Sequence, residues 1–271
     1  MEKLDLSRFG LPSGRSFDPV VFARLKADSY NKVKGNLTGL DCPKCLNRGN
    51  IAMAKEDGSL AFTECGCMKA RRSFWKMEKS GLKNVIKEMT FERFQADEPW
   101  RQNIKAAAMA YADSMTGWLL FCGQVGSGKT HLCTAICRHR LILGDEVRYM
   151  PWRDEITRLK ASSLDNEDRE KLISELKNAQ ILYIDDLFKN GRAADGSSNP
   201  TGADVSIAYE IIDHRYRNHL TTIVSTEKTP QELIEIDEAT ASRIIERAKG
   251  HTIQISRNPG RNYRLRDATV V

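Results

Sequence analysis

The sequence has no long apolar run. None of its hydrophobic stretches approaches the roughly 20 residues that a membrane-spanning helix needs. Its first residues, MEKLDLSRFGLPSGR, also lack the apolar segment of a secretory signal. These absences predict a cytoplasmic protein without a membrane partner. In a reducing compartment the seven cysteines are expected to be free thiols or metal ligands, and not disulfides.

Internal repeats are absent as well, and the apolar and charged content is ordinary for a globular chain. A length of 271 residues fits one large domain, or a domain of ordinary size with a smaller one attached. Charge is unevenly spread: residues 1–88 hold 17 Lys and Arg against 10 Asp and Glu, a balance of +7, whereas the whole chain carries +6. The basic first third favours a polyanionic or acidic partner, although a well-solvated surface also explains it.

Beyond residue 118, short apolar stretches alternate with helix-like segments. The strands are predicted at residues 118–123, 146–150, 181–185 and 221–226, and the helices at 130–143, 205–219 and, as a pair, 152–178. Such alternation is typical of an α/β fold with a parallel sheet covered on both faces. Before it, helices are predicted over 19–35, over 69–87 with a break at Gly81, and after Pro99.

A glycine-rich loop, GQVGSGKT at residues 123–130, follows the first of these strands and precedes a helix. It fits the pattern G-x-x-x-x-G-K-[ST] in full and in the right context. Glycines let the backbone wrap round phosphates, a lysine neutralises the β- and γ-phosphates, and a threonine hydroxyl reaches Mg²⁺. The predicted ATP-binding residues are Gly123, Gly126, Ser127, Gly128, Lys129, Thr130 and His131.

Two adjacent acids end the buried strand ILYID at residues 181–185. Adjacent carboxylates at a strand end are costly unless a metal or cation lies there. Asp185 is therefore predicted to hold Mg²⁺ together with Thr130, and Asp186 to polarise the attacking water. A small-molecule kinase shares the loop, but the second acid favours water as the phosphoryl acceptor.

Four segments resemble AAA+ ATPases, and within them the DnaC/DnaI type of helicase loaders and their kin, the IstB transposition ATPases. These are TFERF (90–94), the strand TTIVSTEK (221–228), the helix ATASRIIERAKG (239–250) and GRNYR (260–264). The resemblance spans roughly two-thirds of the chain and implies an AAA+ fold. It places an arginine finger at Arg243 and a second-sensor arginine at Arg264. Glu227 stands where the first sensor usually has asparagine.

The resemblance also implies partners. Subunits would assemble head to tail, so that Arg243 of each reaches the ATP of the next and stabilises the transition state. Single-stranded DNA would be contacted along the inner face, with Arg153, Arg158 and Lys160 as candidates in the region 152–178. A hexameric replicative helicase would be the protein partner. For Arg243 the simpler alternative is a surface ion pair on its helix, and one of the two arginines Arg243 and Arg247 is expected to pair with Glu246 or Asp237.

Four cysteines form two close pairs, CPKC at 42–45 and CGC at 65–67. Such pairs are typical of tetrahedral zinc, whose binding supplies folding energy to a module too small for a core. The predicted ligands are Cys42, Cys45, Cys65 and Cys67. A redox dithiol and a [4Fe–4S] cluster stay open. Cys122, Cys133 and Cys137 are predicted to be core thiols.

A basic segment follows the second cysteine pair and includes two aromatic residues, Phe74 and Trp75. Basic and aromatic residues together suit single-stranded nucleic acid, and equally a helix that docks on a protein. Its charged members are Lys69, Arg71, Arg72, Lys76, Lys79, Lys83 and Lys87, against Glu78.

The sequence thus predicts a small zinc-binding, helicase- or partner-binding domain at 1–88 and an AAA+ ATPase domain at 89–271. The predicted function is ATP-driven loading of a helicase onto single-stranded DNA in replication initiation. Three alternatives stay open: a transposition ATPase that binds duplex DNA and a transposase, a small-molecule kinase, and a scaffold that binds ATP without hydrolysis.

Overall fold

A computed structural model of the chain describes residues 18–77, 85–161, 166–189 and 200–265. The predicted break at Gly81, the charges of Glu78, Lys79 and Lys83, and most of the polar loop 190–204 lie outside the described residues. The chain consists of two compact units, Met1–Met68 and Lys69–Val271, and each is described by itself. The functional boundary after residue 88 stays a prediction.

The first unit is a helix against a hairpin. Helix α1 (Pro19–Lys32) begins at Asp18, whose Oδ1 accepts a hydrogen bond from the Val20 N–H at 2.8 Å. Strands β1 (Asn50–Ala54) and β2 (Leu60–Glu64) pair antiparallel. Their turn contains Asp57 and Gly58, and the φ of +78° at Gly58 is one that glycine adopts without strain. Residues 50–64 therefore form a β-hairpin.

Helix α1 is joined to β1 through side chains that substitute for a neighbouring strand. The Asn31 amide donates to the Ala52 carbonyl and accepts from the Ala52 N–H, both at 2.9 Å. Tyr30 donates to Asn50 Oδ1 at 2.6 Å and packs edge-on against Phe62. These bonds satisfy backbone groups along the outer edge of β1, which would otherwise be open to pairing with another chain.

The second unit is a five-stranded sheet with helices on both faces. All neighbouring strands are parallel, in the order β4-β5-β6-β3-β7. The strands are β3 (Leu119–Gly123), β4 (Val147–Pro151), β5 (Ile181–Asp185), β6 (Thr221–Thr226) and β7 (Thr252–Ile255). The helices are α2 (Cys67–Met77), α3 (Val85–Glu88), α4 (Pro99–Ser114), α5 (Lys129–Ile142), α6 (Trp152–Ala161), α7 (Asn166–Asn178), α8 (Gly202–Arg217), α9 (Pro230–Ile236) and α10 (Glu238–Arg247). The expected fold class is confirmed.

Alternate residues of β3 enter different cores. Leu119 and Phe121 belong to a cluster formed with α4 and α5, whereas Leu120 and Cys122 belong to one formed with α6, α7, α8 and α10. Every residue of β3 and β5 is buried. Continuous burial is what a parallel sheet covered on both faces requires.

Strands β5 and β6 have the predicted bounds, whereas capping residues move the starts of α4 and α8 ahead of the predicted ones. Helix α4 starts at Pro99 itself, because proline fits the first helical position, where its missing N–H is not needed. Helix α8 starts at Gly202 because Thr201 and Asp204 form a reciprocal capping box. No helix in the described ranges is long and apolar enough to cross a membrane.

Candidate functional site

The carboxyl ends of the parallel strands converge on the glycine-rich loop. Gly123, Gly126 and Gly128 have φ values of +103°, +69° and +96°, which side chains rarely tolerate. A Cβ on Gly123 would collide with the Ile255 carbonyl of β7, and one on Gly128 would lie 2.6 Å from the Phe94 ring. The conformation of the loop and its packing against β7 and Phe94 therefore require glycine at these positions.

Lys129 lies buried beneath the loop and donates to its carbonyls. Its Nζ is 2.9 Å from the Gly123 oxygen and 2.8 Å from the Gln124 oxygen. Burial lowers the pKa of Lys129, and the nearby charges of Asp186 and Glu227 oppose this shift in part. Carbonyl oxygens are weak partners for a buried ammonium, so the phosphates of a nucleotide would be stronger ones.

Asp185 is 8% exposed, and its carboxylate accepts hydrogen bonds from four hydroxyls. Ser225, Tyr183 and Thr130 donate to Oδ1 at 2.5, 2.6 and 3.1 Å. Tyr149 donates to Oδ2 at 2.9 Å. Burial, and then the charge of Asp185, raises the pKa of both tyrosines, which keeps them as donors. The predicted magnesium pair, Thr130 and Asp185, is thus brought together.

Asp186 points differently from its neighbour. Its carboxylate faces Lys189, whose Nζ lies 2.8 Å from Asp186 Oδ2 and 2.6 Å from Glu227 Oε1. Partial burial disfavours the charge on Lys189, but the hydrogen bonds to both acids outweigh it and raise the pKa of Lys189. Glu227 is the residue at the position where the resemblance expects a sensor asparagine. Its carboxylate forms an ion pair with Lys189 and does not bind the carboxylate of Asp185.

A cleft of about 290 Å³ lies above the loop. Its lining combines the loop with parts of the 90–94 segment, the acids and the carboxyl-terminal segment. Among the lining residues are Phe94, Arg101, Lys129, Thr130, Asp186, Lys189, Glu227, Tyr263 and Arg264. Glycine loop, buried lysine, acids and cleft together form a site of the size and charge that suit a nucleoside triphosphate and Mg²⁺.

His131 lines this cleft, but its ring is used elsewhere. Its Nε2 lies 2.8 Å from the Thr90 carbonyl, and Phe94 packs edge-on against the ring. Burial lowers the pKa of His131, and the bond to Thr90 opposes that shift only in part. The side chain therefore fixes the 90–94 segment beside the loop, and any nucleotide contact of His131 would come from its backbone N–H.

The carboxyl-terminal segment closes the other side of the cleft. The Tyr263 N–H donates to the Gly126 carbonyl at 2.9 Å, and the Tyr263 hydroxyl donates to Gln95 Oε1 at 3.1 Å. Arg101, 3% exposed, stacks on the Tyr263 ring at 5.0 Å. Arg264 lies in the lining, as the resemblance implied, and its sensor role stays a prediction.

Arg243 does not line the nucleotide cleft of its own chain. It pairs with Asp213 at 3.0 Å, donates to the Ala239 carbonyl at 2.7 Å and lies over the Tyr209 ring. Arg243 therefore forms an ion pair, as its simpler alternative expected, but the partner is Asp213, and neither Arg243 nor Arg247 pairs with Glu246 or Asp237. Helix α8 brings Asp213 closer, while the Asp237 carboxylate caps α10 through the Thr240 N–H.

Arg247, one turn further along α10, forms contacts within the fold. It donates to the Tyr216 carbonyl at 2.8 Å and to His219 Nδ1 at 2.9 Å, and its guanidinium lies over the Tyr216 ring. These contacts join α10 to the end of α8. A finger acting on a neighbouring subunit would therefore be Arg243, whose side chain keeps 25% of its surface exposed.

The four cysteines of the first unit form one cluster. All four Sγ atoms lie within 4.8 Å of one another, with Cys42–Cys65 at 3.8 Å and Cys45–Cys67 at 3.5 Å. Zinc–sulfur bonds of about 2.3 Å in a tetrahedron place sulfurs about 3.8 Å apart. Thiolates that each bind a separate iron of a cubane cluster would lie farther apart, so the spacing suits a single shared ion.

The environment favours the thiolate at Cys45, whereas burial raises the pKa of Cys65. Burial opposes ionisation of Cys45, but the Gly49 N–H, 3.3 Å from its sulfur, and the neighbouring thiols lower the pKa of Cys45 to about 7. Cys122, Cys133 and Cys137 are buried in the second unit, as predicted for core thiols. Burial raises the pKa of each of these three.

The fold and the site define a P-loop nucleotide-binding protein of AAA+ architecture. A family model described as "IstB-like ATP binding protein" matches residues 61–270. The chain belongs to the IstB-like ATP-binding family. The ATPase activity expected from the sequence follows from this membership.

Individual proteins are also similar to this chain. The chain is 28% identical to the phage-like element PBSX protein XkdC of Bacillus subtilis (strain 168), over 79% of this chain and 82% of that one. It is 24% identical to the replicative helicase loader DnaC of Escherichia coli (strain K12), over 69% and 75% of the respective chains. A crystal structure of the DnaC helicase loader superposes over 65% of this chain and 99% of that one, with 20% identity and a TM-score of 0.49.

Sequence reasoning missed several residues that the fold brings to the site. Tyr149 and Tyr183 bind Asp185 from inside strands, where aromatic residues look like ordinary core. Lys189 follows the acid pair by only a few residues, and that proximity was the available signal. Arg101 and Tyr263 meet only in the folded chain, so neither could be found by spacing.

Proposed function

We propose that this protein is an ATP-dependent loader of a replicative helicase onto single-stranded DNA. The observation that carries the proposal is the similarity, over 69% of the chain, to a relative named as a replicative helicase loader. The nucleotide cleft is consistent with it, because loading needs a step that ATP can drive. In this scheme Mg²⁺ would be held by Thr130 and Asp185, and Asp186 would orient the attacking water.

The cysteine unit is proposed to bind zinc and to hold the helicase. Zinc would crosslink the segment around Cys42 and Cys45 to the segment Cys65–Cys67 that follows β2, since each contributes two ligands. A small unit with a two-stranded sheet gains its rigidity from such a metal. The partner surface would then be a separate module from the ATPase, which suits a protein that must hold one partner while hydrolysing ATP.

Single-stranded DNA is the proposed nucleic-acid ligand. On α2, Arg71 and Phe74 are buried, which leaves Lys69, Arg72 and Lys76 exposed at near-helical spacing, with Trp75 beside them.

The α6 candidates differ from one another in their contacts. Arg158 pairs with Glu155, and Lys160 pairs with Asp204 at 2.5 Å, while Arg153 is exposed. Arg153 is therefore the preferred DNA contact of the three.

Subunits are proposed to assemble head to tail. In that arrangement Arg243 would leave Asp213 and enter the cleft of the next subunit. Asp213 would keep a partner, because Arg217 also binds it at 2.8 Å. The exchange would therefore leave no unpaired buried carboxylate behind.

Helicase transfer tests the proposal. The purified protein is mixed with the replicative helicase encoded nearest to it, with ATP and circular single-stranded DNA coated with its binding protein. Transfer of helicase to the circle should require this protein and should fail with Cys45→Ser and with Arg243→Ala. Absence of both association and transfer would refute the helicase partnership while leaving the ATPase assignment intact.

The second candidate function is a transposition ATPase, which the IstB-like family description favours. Such a protein should bind duplex DNA in preference to single strands and should associate with a transposase. Matched single- and double-stranded oligonucleotides of one sequence distinguish the two functions. A preference for the duplex, at equal salt, would replace the loader by this alternative.

A further inference from the structure

The turn after β5 has an unusual backbone. Asp186 and Phe188 both have positive φ, +58° and +60°. Aspartate tolerates this region, but for a bulky residue such as phenylalanine it is a genuine outlier that costs free energy. Strain of this kind persists only where the surroundings fix it, and it concentrates at functional sites.

Buried contacts fix this turn. The Leu187 N–H donates to the Ser225 carbonyl, and the Thr226 hydroxyl donates to the Leu187 carbonyl, both at 2.8 Å. Phe188 is fully buried and packs edge-on against Trp152. The Lys189 N–H then closes the turn on the Asp186 carbonyl at 2.9 Å. The strained turn thus fixes the backbone position of Lys189, from which its side chain extends.

Lys189 lies between two acids in the wall of the nucleotide cleft. Its ammonium contacts Asp186 and Glu227, yet 42% of its side chain stays exposed. Lys129 lines the same cleft, so the two ammonium groups lie in one cavity. Accordingly, the charge of Lys189 contributes to lowering the pKa of Lys129. A terminal phosphate bound at Lys129 would therefore lie near Lys189 and near both acids.

We propose that Lys189 is the residue with which this chain distinguishes ATP from ADP. In the arrangement described, its ammonium neutralises Asp186 and Glu227. The γ-phosphate of ATP then competes with the two carboxylates for the same ammonium. When Lys189 turns to the phosphate, Asp186 is released to accept a hydrogen bond from water. ADP has no γ-phosphate and leaves the lysine with the acids.

Charge balance supports this exchange. Two carboxylates beside a bound triphosphate would repel it, and a lysine within reach of all three groups removes that repulsion. A lysine has three donors, so it can keep one carboxylate while it binds the phosphate. The inference rests on ATP binding in this cleft and does not depend on the helicase partnership.

The test measures nucleotide affinity and not turnover. Binding of fluorescently labelled ATP and ADP is compared in full-length Asp186→Asn/Glu227→Gln protein, which cannot use Asp186 to hydrolyse ATP and lacks both acidic partners of Lys189. Adding Lys189→Met should weaken ATP binding about tenfold and leave ADP binding unchanged, because a hydrogen bond between charged groups is lost only with ATP. Lys189→Arg should keep most of the preference.

An unchanged ratio of ATP to ADP affinity would overturn the proposal, since a lysine that only neutralises the acids has no function once they are amides. The matched control is Lys249→Met, an exposed lysine just after α10 and away from the cleft. Unaltered ADP binding shows that each variant is folded. If Lys129→Ala protein binds both nucleotides normally, the cleft is not the nucleotide site. That outcome also overturns the inference, and it does so independently of the result of the helicase-transfer experiment.

Discussion

The Ser225 hydroxyl donates a hydrogen bond of 2.5 Å to Asp185 Oδ1, across from β6 to the end of β5. The same hydroxyl oxygen accepts from the Asp186 N–H at 3.0 Å. One buried serine therefore holds the carboxylate of the first acid and the backbone of the second. Strand β6 therefore reaches the acid pair through Ser225, two residues before Glu227.

Ser225→Ala is expected to slow ATP hydrolysis about tenfold with little change in nucleotide affinity. Loss of a hydrogen bond to a charged group costs about 1.5–3 kcal/mol, and here it would misplace groups that act on the reaction rather than on binding. Steady-state kcat and KM, with the Mg²⁺ dependence, measure the effect. Ser174→Ala, an exposed serine on α7, is the control. A rise in KM at constant kcat would contradict this prediction.

Removal of one cysteine should remove the metal. Wild-type protein is expected to contain about one zinc ion per chain, and Cys45→Ala close to none, because a structural zinc site needs four ligands. Elemental analysis after dialysis measures this. Cys137→Ala, which deletes a buried thiol of the ATPase core, should retain zinc. Iron with visible absorbance in wild-type protein would instead establish a cluster.

Arginine-finger action predicts complementation between two inactive proteins. Lys129→Ala should not bind ATP, and Arg243→Ala should bind ATP without hydrolysing it. Mixed together, a Lys129→Ala subunit can supply Arg243 to the intact cleft of its neighbour, so part of the ATPase activity should return. Arg247→Ala serves as the control: it should lower stability but keep hydrolysis per folded molecule. If the mixture recovers no ATPase activity, Arg243 does not act as an arginine finger, and its role is limited to the ion pair with Asp213.

His131 should make stability fall in mildly acidic solution. Burial lowers its pKa from 6.5, so below about pH 6.5 the unfolded chain binds a proton that the folded chain resists. The free energy of unfolding is therefore expected to be highest above pH 6.5 and to decline as the pH falls towards the lower, folded pKa. Denaturant unfolding between pH 7.5 and 5.5 should show a shallower decline for His131→Gln. His214→Gln, at a more exposed site, should change the slope less.

Much of the fold followed from patterns that act over short distances. The apolar composition of ILYID indicates a buried strand, and the residue spacing in GQVGSGKT indicates a phosphate-binding loop. The positions of both elements and the parallel sheet were therefore predicted correctly. The cysteine pairs likewise form the compact cluster that their spacing indicated. Helix starts at Pro99 and Gly202 were displaced because capping residues, and not apolar periodicity, decide where a helix begins.

The contacts that complete the site could not be predicted, since they join distant segments. Asp213 binds Arg243 across two packed helices, and no spacing along α10 could select it over Asp237. Tyr149 reaches Asp185 because β4 and β5 are neighbours, with Pro151 in register with Asp185. Such partners are fixed by strand order and helix packing, which a single sequence specifies only through the complete fold.

The position of β3 in the sheet has a consequence for how this protein is made. The strand that ends in the nucleotide loop pairs with β6 and β7, and both leave the ribosome long after it. Until then a strand that is fully buried in the folded chain has no partner, and its loop has no wall. A nascent chain is therefore expected to bind ATP only late, and this apolar strand stays unpaired while residues 124–220 are synthesised.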